Sequence, residues 1–272
     1  MSTVPDLTPS LPLSAWTASQ RRRIKGVLTD IEDTLTEDGR IMPQALQALE
    51  LLHQAQIPVV AITGRPAGWS EPRAMTWPMV GIVAENGAVA LRRDAQGRLQ
   101  KDWLQDEATR RANAALLQTA AADILRNLPH ARLATDSPGR ETDIAIDHAE
   151  HAHLNAQDIA RVCDIMRSHG LTATVSSIHI NGWYGEHNKL EGARWIAQKL
   201  LGRDLDANLN AWAYVGDSTN DQIMFAHFVN SIGVANIKVF EKQLQHFPRY
   251  ITPSERGEGF AEVVDALIFA HA

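Results

Sequence analysis

The 272 residues suffice for one large domain or two smaller ones, and a hydrophobic content of 44% allows a substantial core. The formal net charge is −6, and apart from Arg21-Arg22-Arg23 there is no basic block, so we expect no nucleic-acid partner. No apolar run approaches the roughly 20 residues of a membrane span, so we expect no membrane partner either. The single cysteine, Cys163, rules out an intrachain disulfide and suits a reducing, cytoplasmic setting.

The chain begins with a segment rich in proline, serine and threonine. Residues 1–21 lack the charged start and the apolar stretch of a secretory signal. We therefore expect a flexible leader, with Trp16 as its point of contact with the rest of the protein.

Short apolar runs alternate with amphipathic stretches in residues 22–88 and 186–272. Runs that are apolar on both faces indicate a parallel sheet covered by helices on both sides. Ligands of such sheets bind beyond the carboxyl ends of the strands. We therefore expect the polar residues that follow the apolar runs to share one edge of the sheet: Asp30, Thr63, Glu85, Asn86, Asp217 and Asn236.

Residues 89–185 show a different pattern. Apolar and polar residues alternate in Thr142–Asp147 and in Thr174–Asn181, which is typical of antiparallel strands with one wet face. Two amphipathic stretches of helical period accompany them. We predict an α/β protein: a Rossmann-like parallel-sheet core, made of residues 22–88 and 186–272, with an inserted α+β cap domain at residues 89–185.

The chemistry is concentrated in polar turns that follow the apolar runs. The first turn, Asp30-Ile31-Glu32-Asp33-Thr34, places two acids two residues apart, which costs electrostatic repulsion unless a cation lies between them. Thr63-Gly64-Arg65 follows the next run. Gly216-Asp217-Ser218-Thr219-Asn220-Asp221 follows a later one, and Lys189 lies between these two turns in Asn188-Lys189-Leu190-Glu191-Gly192-Ala193.

These four segments, in this order, resemble the four motifs of the haloacid dehalogenase-like hydrolases. Glu85-Asn86-Gly87-Ala88 also resembles a segment of members that carry a large cap between the second and third motifs. Phosphatases that act on trehalose, sucrose or mannosylglycerate phosphates belong to that branch. The resemblance implies a Mg²⁺-dependent phosphatase whose substrate is a small phosphate ester, with a sugar phosphate as the expected class.

The resemblance also implies a role for each motif residue, and the side-chain chemistry agrees. Asp30 would attack phosphorus and form an aspartyl-phosphate. Mg²⁺ would be held by Asp30 and Asp217, with Asp221 assisting directly or through water and Glu32 contributing its backbone carbonyl. Thr63 would donate a hydrogen bond to a phosphoryl oxygen, and Lys189 would neutralise the charge that develops in the transition state.

Substrate contacts are expected from two places. The motif turns supply the first set. The second set comes from the cap strand that returns to the core before Lys189, and its residues could equally do no more than complete a sheet and form a hinge. The candidates are Gly64, Arg65, Asn86 and Asn220 from the turns, and His179 and Trp183 from the strand. His148, His151 and His153 fit no zinc spacing, so we interpret them as a polar loop on the cap.

Glu32 departs from the family pattern, which has aspartate at this position. The family residue is the general acid/base that protonates the leaving oxygen and then activates water. Glutamate is one methylene longer, and a displacement of about an ångström can cost on the order of a hundredfold in rate. Three alternatives remain open: an active phosphatase that tolerates Glu32, a slower or specialised enzyme, or a sugar-phosphate-binding protein of weak activity. A phosphotransferase or mutase with the same intermediate is a further alternative.

Overall fold

The computed structural model describes residues 9–271. Its strands are β1 (Leu11–Pro12), β2 (Gly26–Thr29), β3 (Thr36–Glu37), β4 (Arg40–Ile41), β5 (Val59–Ile62), β6 (Gly81–Ala84), β7 (Val89–Arg93), β8 (Leu99–Trp103), β9 (Arg132–Leu133), β10 (Asp143–Asp147), β11 (Thr172–Val175), β12 (His179–Trp183), β13 (Trp212–Gly216), β14 (Ser231–Gly233) and β15 (Tyr250–Ile251). Its α-helices are α1 (Ala18–Arg21), α2 (Pro43–Gln54), α3 (Ala67–Thr76), α4 (Glu107–Asn127), α5 (Ala156–Ser168), α6 (Lys189–Leu201), α7 (Gln222–His227) and α8 (Arg256–His271).

The main sheet has the strand order β1-β15-β14-β13-β2-β5-β6-β7-β8. The first seven strands in this order, from β1 at one edge to β6, are all parallel to their neighbours. Strands β7 and β8 then extend the sheet as antiparallel strands. The four central strands β13, β2, β5 and β6 therefore end at the same edge. The predicted parallel-sheet core is confirmed.

Both faces of this sheet are buried, which explains why its strands have continuous apolar sequences. Val27 and Val59 point into the hydrophobic layer that α2 and α8 cover. Leu28 and Val60, one residue later, point into the opposite layer, which contains Ile196 of α6. The side-chain alternation of a strand thus supplies two cores at once.

The cap is a separate four-stranded antiparallel sheet in the order β11-β12-β10-β9. Helices α4 and α5 cover one face of it and share its hydrophobic core with residues such as Ile144 and Ile180. Asn155 begins α5 by accepting hydrogen bonds from the backbone N–H groups of Gln157 and Asp158. The predicted α+β cap is confirmed.

The structure shifts the predicted start of the cap. Residues 89–103 form the β7–β8 hairpin, which is hydrogen-bonded to β6 in the core sheet. The cap helices and strands begin only at Glu107, so residue 89 was too early as a boundary. The boundary was misplaced because a hairpin at a sheet edge alternates between apolar and polar residues in the same way as a cap strand.

The structure also differs in part from the flexible leader that was predicted for residues 1–21. Residues 1–8 lie outside the described residues. Within the rest, β1 pairs in parallel with β15, and Trp16 is buried against Tyr250 and donates a hydrogen bond to the Asn230 side chain at 3.1 Å. Residues 11–21 are therefore attached to the core sheet, and the flexible leader was wrong for them. None of the helices in residues 9–271 is long and apolar enough to cross a membrane.

Candidate active site

Three strands of the core deliver acidic and hydroxyl side chains to one edge of the sheet. Asp30 follows β2, Thr63 follows β5 and Asp217 follows β13, and all three side chains are buried. The Asp30 N–H donates to the carbonyl oxygen of Val215 at 2.8 Å, which extends the β2–β13 ladder up to the site. The sequence-based expectation that these residues converge is confirmed.

Helix α6 brings Lys189 to the same place. Asn188 begins the helix by accepting hydrogen bonds from the N–H groups of Leu190 and Glu191, at 2.9 and 3.0 Å. The turn after β6 approaches this helix start closely. Gly87 has a φ of 112°, and a Cβ there would lie 2.3 Å from the carbonyl oxygen of Asn188. The close approach and the positive φ both require glycine at position 87.

The Lys189 ammonium lies between two buried carboxylates. Its Nζ is 2.6 Å from Asp30 Oδ1 and 2.7 Å from Asp221 Oδ1. Burial disfavours the charged ammonium, but Asp221 and Asp30 outweigh burial and raise the pKa of Lys189. Lys189 is therefore a fixed positive charge beside the nucleophile that the motif analysis predicts.

Asp221 is held in place by its own turn. Its Oδ2 accepts hydrogen bonds from the N–H groups of Asp217 and Ser218, at 2.9 and 3.1 Å. Its Oδ1 also accepts a hydrogen bond from the Tyr214 hydroxyl at 2.5 Å. Gly216 leaves the room for this carboxyl group, because a Cβ at that position would lie 2.6 Å from Asp221 Cγ. Sequence analysis missed Tyr214, which is read as an apolar strand residue.

Three carboxylates form a cluster that suits a hard divalent cation. Asp30, Asp217 and Asp221 each offer an oxygen within 4.8 Å of the others. Within residues 9–271, no group donates a hydrogen bond to the buried Asp217 Oδ1, whereas Asp217 Oδ2 accepts one from Asn236 Nδ2 at 3.1 Å. An unpartnered, buried carboxylate oxygen among three acids fits a ligand of a hard divalent cation.

Burial and charge repulsion in this cluster shift the pKa values of its acids. Burial, followed by the charges of neighbouring acids, raises the pKa of Asp217 well above its ordinary value. Burial also raises the pKa of Asp30 well above its ordinary value, although Lys189 opposes the shift. A bound divalent cation would offset both costs and keep the carboxylates ionised.

Glu32 has both carboxyl oxygens engaged. Its Oε2 accepts a hydrogen bond from the Thr63 hydroxyl at 2.6 Å, and its Oε1 accepts one from Arg65 Nε at 2.9 Å. The Thr63 hydroxyl, predicted as a donor to phosphate, therefore donates to Glu32 in this structure. The carboxylate cluster does not include the Glu32 side chain, so a metal contact by Glu32 stays a prediction about its backbone carbonyl.

Arg65 links the core to the cap. Its Nη1 is 3.0 Å from Asp136 Oδ2 and its Nη2 is 2.6 Å from Glu150 Oε1, in addition to its contact with Glu32. Sequence analysis expected Arg65 to contact substrate, a role that the structure does not test, and it missed both cap acids. The missed acids lie in cap loops, where no motif marks them.

The other predicted substrate contacts are distributed over the core–cap boundary. Asn86, with a φ of 55°, is buried, and within the described residues its Nδ2 has no hydrogen-bond partner. The carbonyl oxygen of Gly64 accepts a hydrogen bond from Arg140 at 3.0 Å. His179 Nε2 lies 2.9 Å from Glu150 Oε2, and the Trp183 indole N–H donates to the carbonyl oxygen of His187 at 3.0 Å.

Two clefts flank the site between core and cap. One, of about 410 Å³, is lined by Asn86, Trp183, Lys189 and Asn220, and extends to Arg167. The other, of about 420 Å³, lies on the side of Glu32 and includes Arg65 and Arg256. Four of the predicted site residues thus share the first cleft. The predicted substrate contact His179 lies instead beside Glu150, one of the two cap acids that bind Arg65.

The cap histidines do not form a metal cluster with acids or cysteine among residues 9–271. His148 Nε2 lies 3.0 Å from the carbonyl oxygen of Ser176.

Comparisons with known proteins agree with the class that the fold and the carboxylate cluster indicate. Residues 27–128 match the family model of the haloacid dehalogenase-like hydrolases. This stretch contains the first two motifs and the Glu85–Ala88 segment, and Lys189 and the Asp217–Asp221 turn lie outside it. The predicted resemblance to these hydrolases is confirmed, and the match supports the prediction that the protein is an enzyme.

Individual relatives agree with this class. A phosphoglycolate phosphatase from Methanothrix thermoacetophila is 23% identical over 245 residues, which are 89% of this chain and 96% of the relative. A solved protein from Thermoplasma acidophilum has a TM-score of 0.67 at 16% identity, over 90% of this chain and 98% of that one. The sucrose-phosphatase of Synechocystis, solved with sucrose and phosphate, has a TM-score of 0.63 at 14% identity, over 91% and 98%.

Proposed function

We propose that the protein is a Mg²⁺-dependent phosphatase that hydrolyses a small phosphorylated metabolite through an aspartyl-phosphate on Asp30. The observation that carries this proposal is the buried cluster of Asp30, Asp217 and Asp221 around the Lys189 ammonium. Phosphoryl transfer needs a nucleophile and neutralisation of charge, and this cluster contains both. The polar edge of a parallel sheet is also where such sheets bind ligands.

The first half-reaction follows from the placement of Asp30 and Lys189. An Asp30 carboxylate oxygen would form a bond to phosphorus while the bond from phosphorus to the leaving oxygen breaks. Lys189 would keep the Asp30 carboxylate oriented and would offset negative charge on the transferring group. Mg²⁺, held by Asp30, Asp217, Asp221 and the Glu32 carbonyl, would neutralise the charge that otherwise keeps phosphate from the carboxylate.

The second half-reaction would use Glu32. Water would attack the phosphorus of the aspartyl-phosphate, lose a proton to the Glu32 carboxylate, and release phosphate while the Asp30 carboxylate is restored. Glu32 would begin the turnover protonated and donate its proton to the leaving oxygen in the first half-reaction, so that its carboxylate is free to take the proton of the attacking water in the second. The hydrogen bond from Thr63 and the ion pair with Arg65 hold the Glu32 carboxyl group in a fixed position beside Asp30.

The proposed substrate is a small phosphorylated sugar or polyol. The cleft beside Lys189 is lined by hydroxyl and amide side chains such as Thr172, Thr174 and Asn220, which can hydrogen-bond to a polyol. Arg167 lines the same cleft, is largely exposed and pairs with Asp164 at 3.3 Å. It would be the cation for the carboxylate of a phosphorylated hydroxy acid, a second substrate class in line with the name of the Methanothrix relative. We also propose a reducing cytoplasmic location, which the single buried Cys163 supports.

A panel of phosphorylated metabolites, assayed for phosphate release with and without Mg²⁺, tests this function. We expect release that requires the metal and is lost after chelation, because the three acids otherwise repel one another and the substrate. Phosphate transfer to an added alcohol would indicate a phosphotransferase. Binding without release, measured by calorimetry, would indicate a sensor. Release that survives exhaustive chelation would contradict the proposal.

A further inference from the structure

Arg65 bridges the predicted acid/base in the core and two acids in the cap. Its three guanidinium nitrogens contact Glu32 at 2.9 Å, Asp136 at 3.0 Å and Glu150 at 2.6 Å. The Arg65 side chain is only 4% exposed, so these contacts are shielded from solvent. A planar guanidinium has its donors in a fixed arrangement, so the positions of two carboxylates determine where Nε points.

The cap holds its two acids in place from its own side. Asp136 Oδ1 accepts a hydrogen bond from Arg140 Nη2 at 3.1 Å, and Arg140 is itself fixed by Asp143 at 2.9 Å. Glu150 Oε2 lies 2.9 Å from His179 Nε2. Cap residues therefore orient the Asp136 and Glu150 carboxylates, and Arg140 also donates to the core carbonyl of Gly64 at 3.0 Å. A displacement of the cap would carry both carboxylates with it.

We infer that Arg65 is a positioning residue through which the cap orients Glu32. The inference rests on the proposed function, since it concerns the group that would activate water. With the cap in the observed position, Asp136 and Glu150 hold the guanidinium so that Nε faces Glu32 Oε1. With the cap displaced, the guanidinium loses two of its three carboxylate partners. Glu32 then keeps the hydrogen bond from Thr63 at Oε2 but loses the fixed position of its donor at Oε1.

Water activation is the step that should respond to this link. An activated aryl phosphate has a leaving group that needs little protonation, so phosphorylation of Asp30 should proceed even when Glu32 is misplaced. Hydrolysis of the aspartyl-phosphate still needs a base at the correct position. Loss of the link should therefore slow the second half-reaction and leave the first unchanged.

Glu150→Gln tests the inference, with Glu141→Gln as the matched control. Glu141 is a cap-side acid that binds Lys101 at 2.6 Å and Trp103 at 2.7 Å in the core hairpin, away from Arg65. With an aryl phosphate, Glu150→Gln should give a burst of one product per enzyme and a steady state slower by about tenfold. Glu141→Gln should keep the wild-type steady state. Arg65→Lys should resemble Glu150→Gln, and combining the two should add little.

Crystal structures of the two glutamine variants provide a readout that needs no turnover. We expect Arg65 Nε to leave Glu32 Oε1 in Glu150→Gln and to remain within hydrogen-bond distance in Glu141→Gln. Equal kinetic effects of both variants, or an unmoved Glu32 in Glu150→Gln, would overturn the inference. A wild-type protein without phosphatase activity would instead refute the proposed function, and the crystal structures would still test the link.

Discussion

At the residue scale, two donors hold the Glu32 carboxylate. It accepts hydrogen bonds from Thr63 and from Arg65 at the same time. These two donors come from the turn after β5, which is the strand next to β2 in the sheet. Glu32 is therefore anchored to a neighbouring strand end, which compensates for the greater freedom of a glutamate side chain.

We predict that Glu32→Gln blocks release of phosphate from the aspartyl-phosphate more than it blocks formation of the intermediate. An amide cannot accept the proton of the attacking water, whereas an aryl leaving group departs without an acid. Stopped-flow measurement of aryl phosphate cleavage should show a burst followed by slow turnover. Unchanged steady-state turnover would mean that Glu32 contributes at most its backbone carbonyl.

Sequence analysis could place the residues that directly follow the parallel strands. The carboxyl ends of neighbouring parallel strands meet by topology, so Asp30, Thr63 and Asp217 could be brought together from strand order alone. Asp136 and Glu150 could not be found in the same way. Their contact with Arg65 depends on how the cap is seated on the core, and no local sequence pattern encodes that placement.

At the scale of single elements, helix α6 determines where Lys189 lies. The helix begins at Lys189, directly after its cap residue Asn188, and ends at Gly202 in the left-handed conformation. Its first turn packs on Gly87, so the distance between the β6 turn and α6 is set by two backbones in contact. A short side chain at position 87 would push the Lys189 end of the helix away from Asp30.

We predict that Gly87→Ala lowers both stability and turnover, with Gly202→Ala as the control at the other end of α6. Both glycines have positive φ, so alanine strains the backbone at either position, by about 1 kcal/mol at Gly202, whose φ of 60° lies in the left-handed region. Only at position 87 does a Cβ also collide with backbone, so its cost should exceed that of Gly202→Ala by about 2 kcal/mol or more. Urea unfolding measures the difference, and equal losses would argue against the close approach.

Contacts between cap and core should depend on pH through Glu150. Burial opposes its ionisation, but hydrogen bonds from His179 and Arg65 lower its pKa from 4.5 to about 2. A lowered pKa gives stability that is complete above the ordinary pKa and is lost as the pH falls from about 4.5 towards 2. We therefore predict that the free energy of unfolding of wild type exceeds that of Glu150→Gln by more at pH 6 than at pH 3. A difference that is constant between these pH values would contradict the assignment.

At the scale of the whole molecule, the cap is attached to the core by polar contacts on both sides of the site. Glu85 accepts hydrogen bonds from the backbone of Glu141 and Thr142, and Thr219 donates to the carbonyl oxygen of Val175 at 2.7 Å. The larger division into core and cap was predictable, because a change from continuous to alternating apolar runs is visible over many residues. The exact start of the cap was not predictable, since the β7–β8 hairpin alternates as the cap strands do.

We predict that the cap, from about residue 104 to residue 185, moves as a unit against the core when a phosphate analogue binds. Movement would admit substrate, and closure would remove bulk water and strengthen the charge interactions at the site. Crystal structures with and without the analogue and Mg²⁺ measure the displacement. Identical cap positions with an equally closed cleft in both states would count against a moving cap.

The central claim is that the phosphoryl group passes through Asp30. Wild type incubated with a substrate carrying labelled phosphate, then quenched in acid and digested, should carry the label on the peptide that contains Asp30. Asp30→Asn should keep the fold, as circular dichroism can verify, and should carry no label and show no turnover. Label on another residue, or a folded Asp30→Asn variant that retains substantial turnover, would contradict the account.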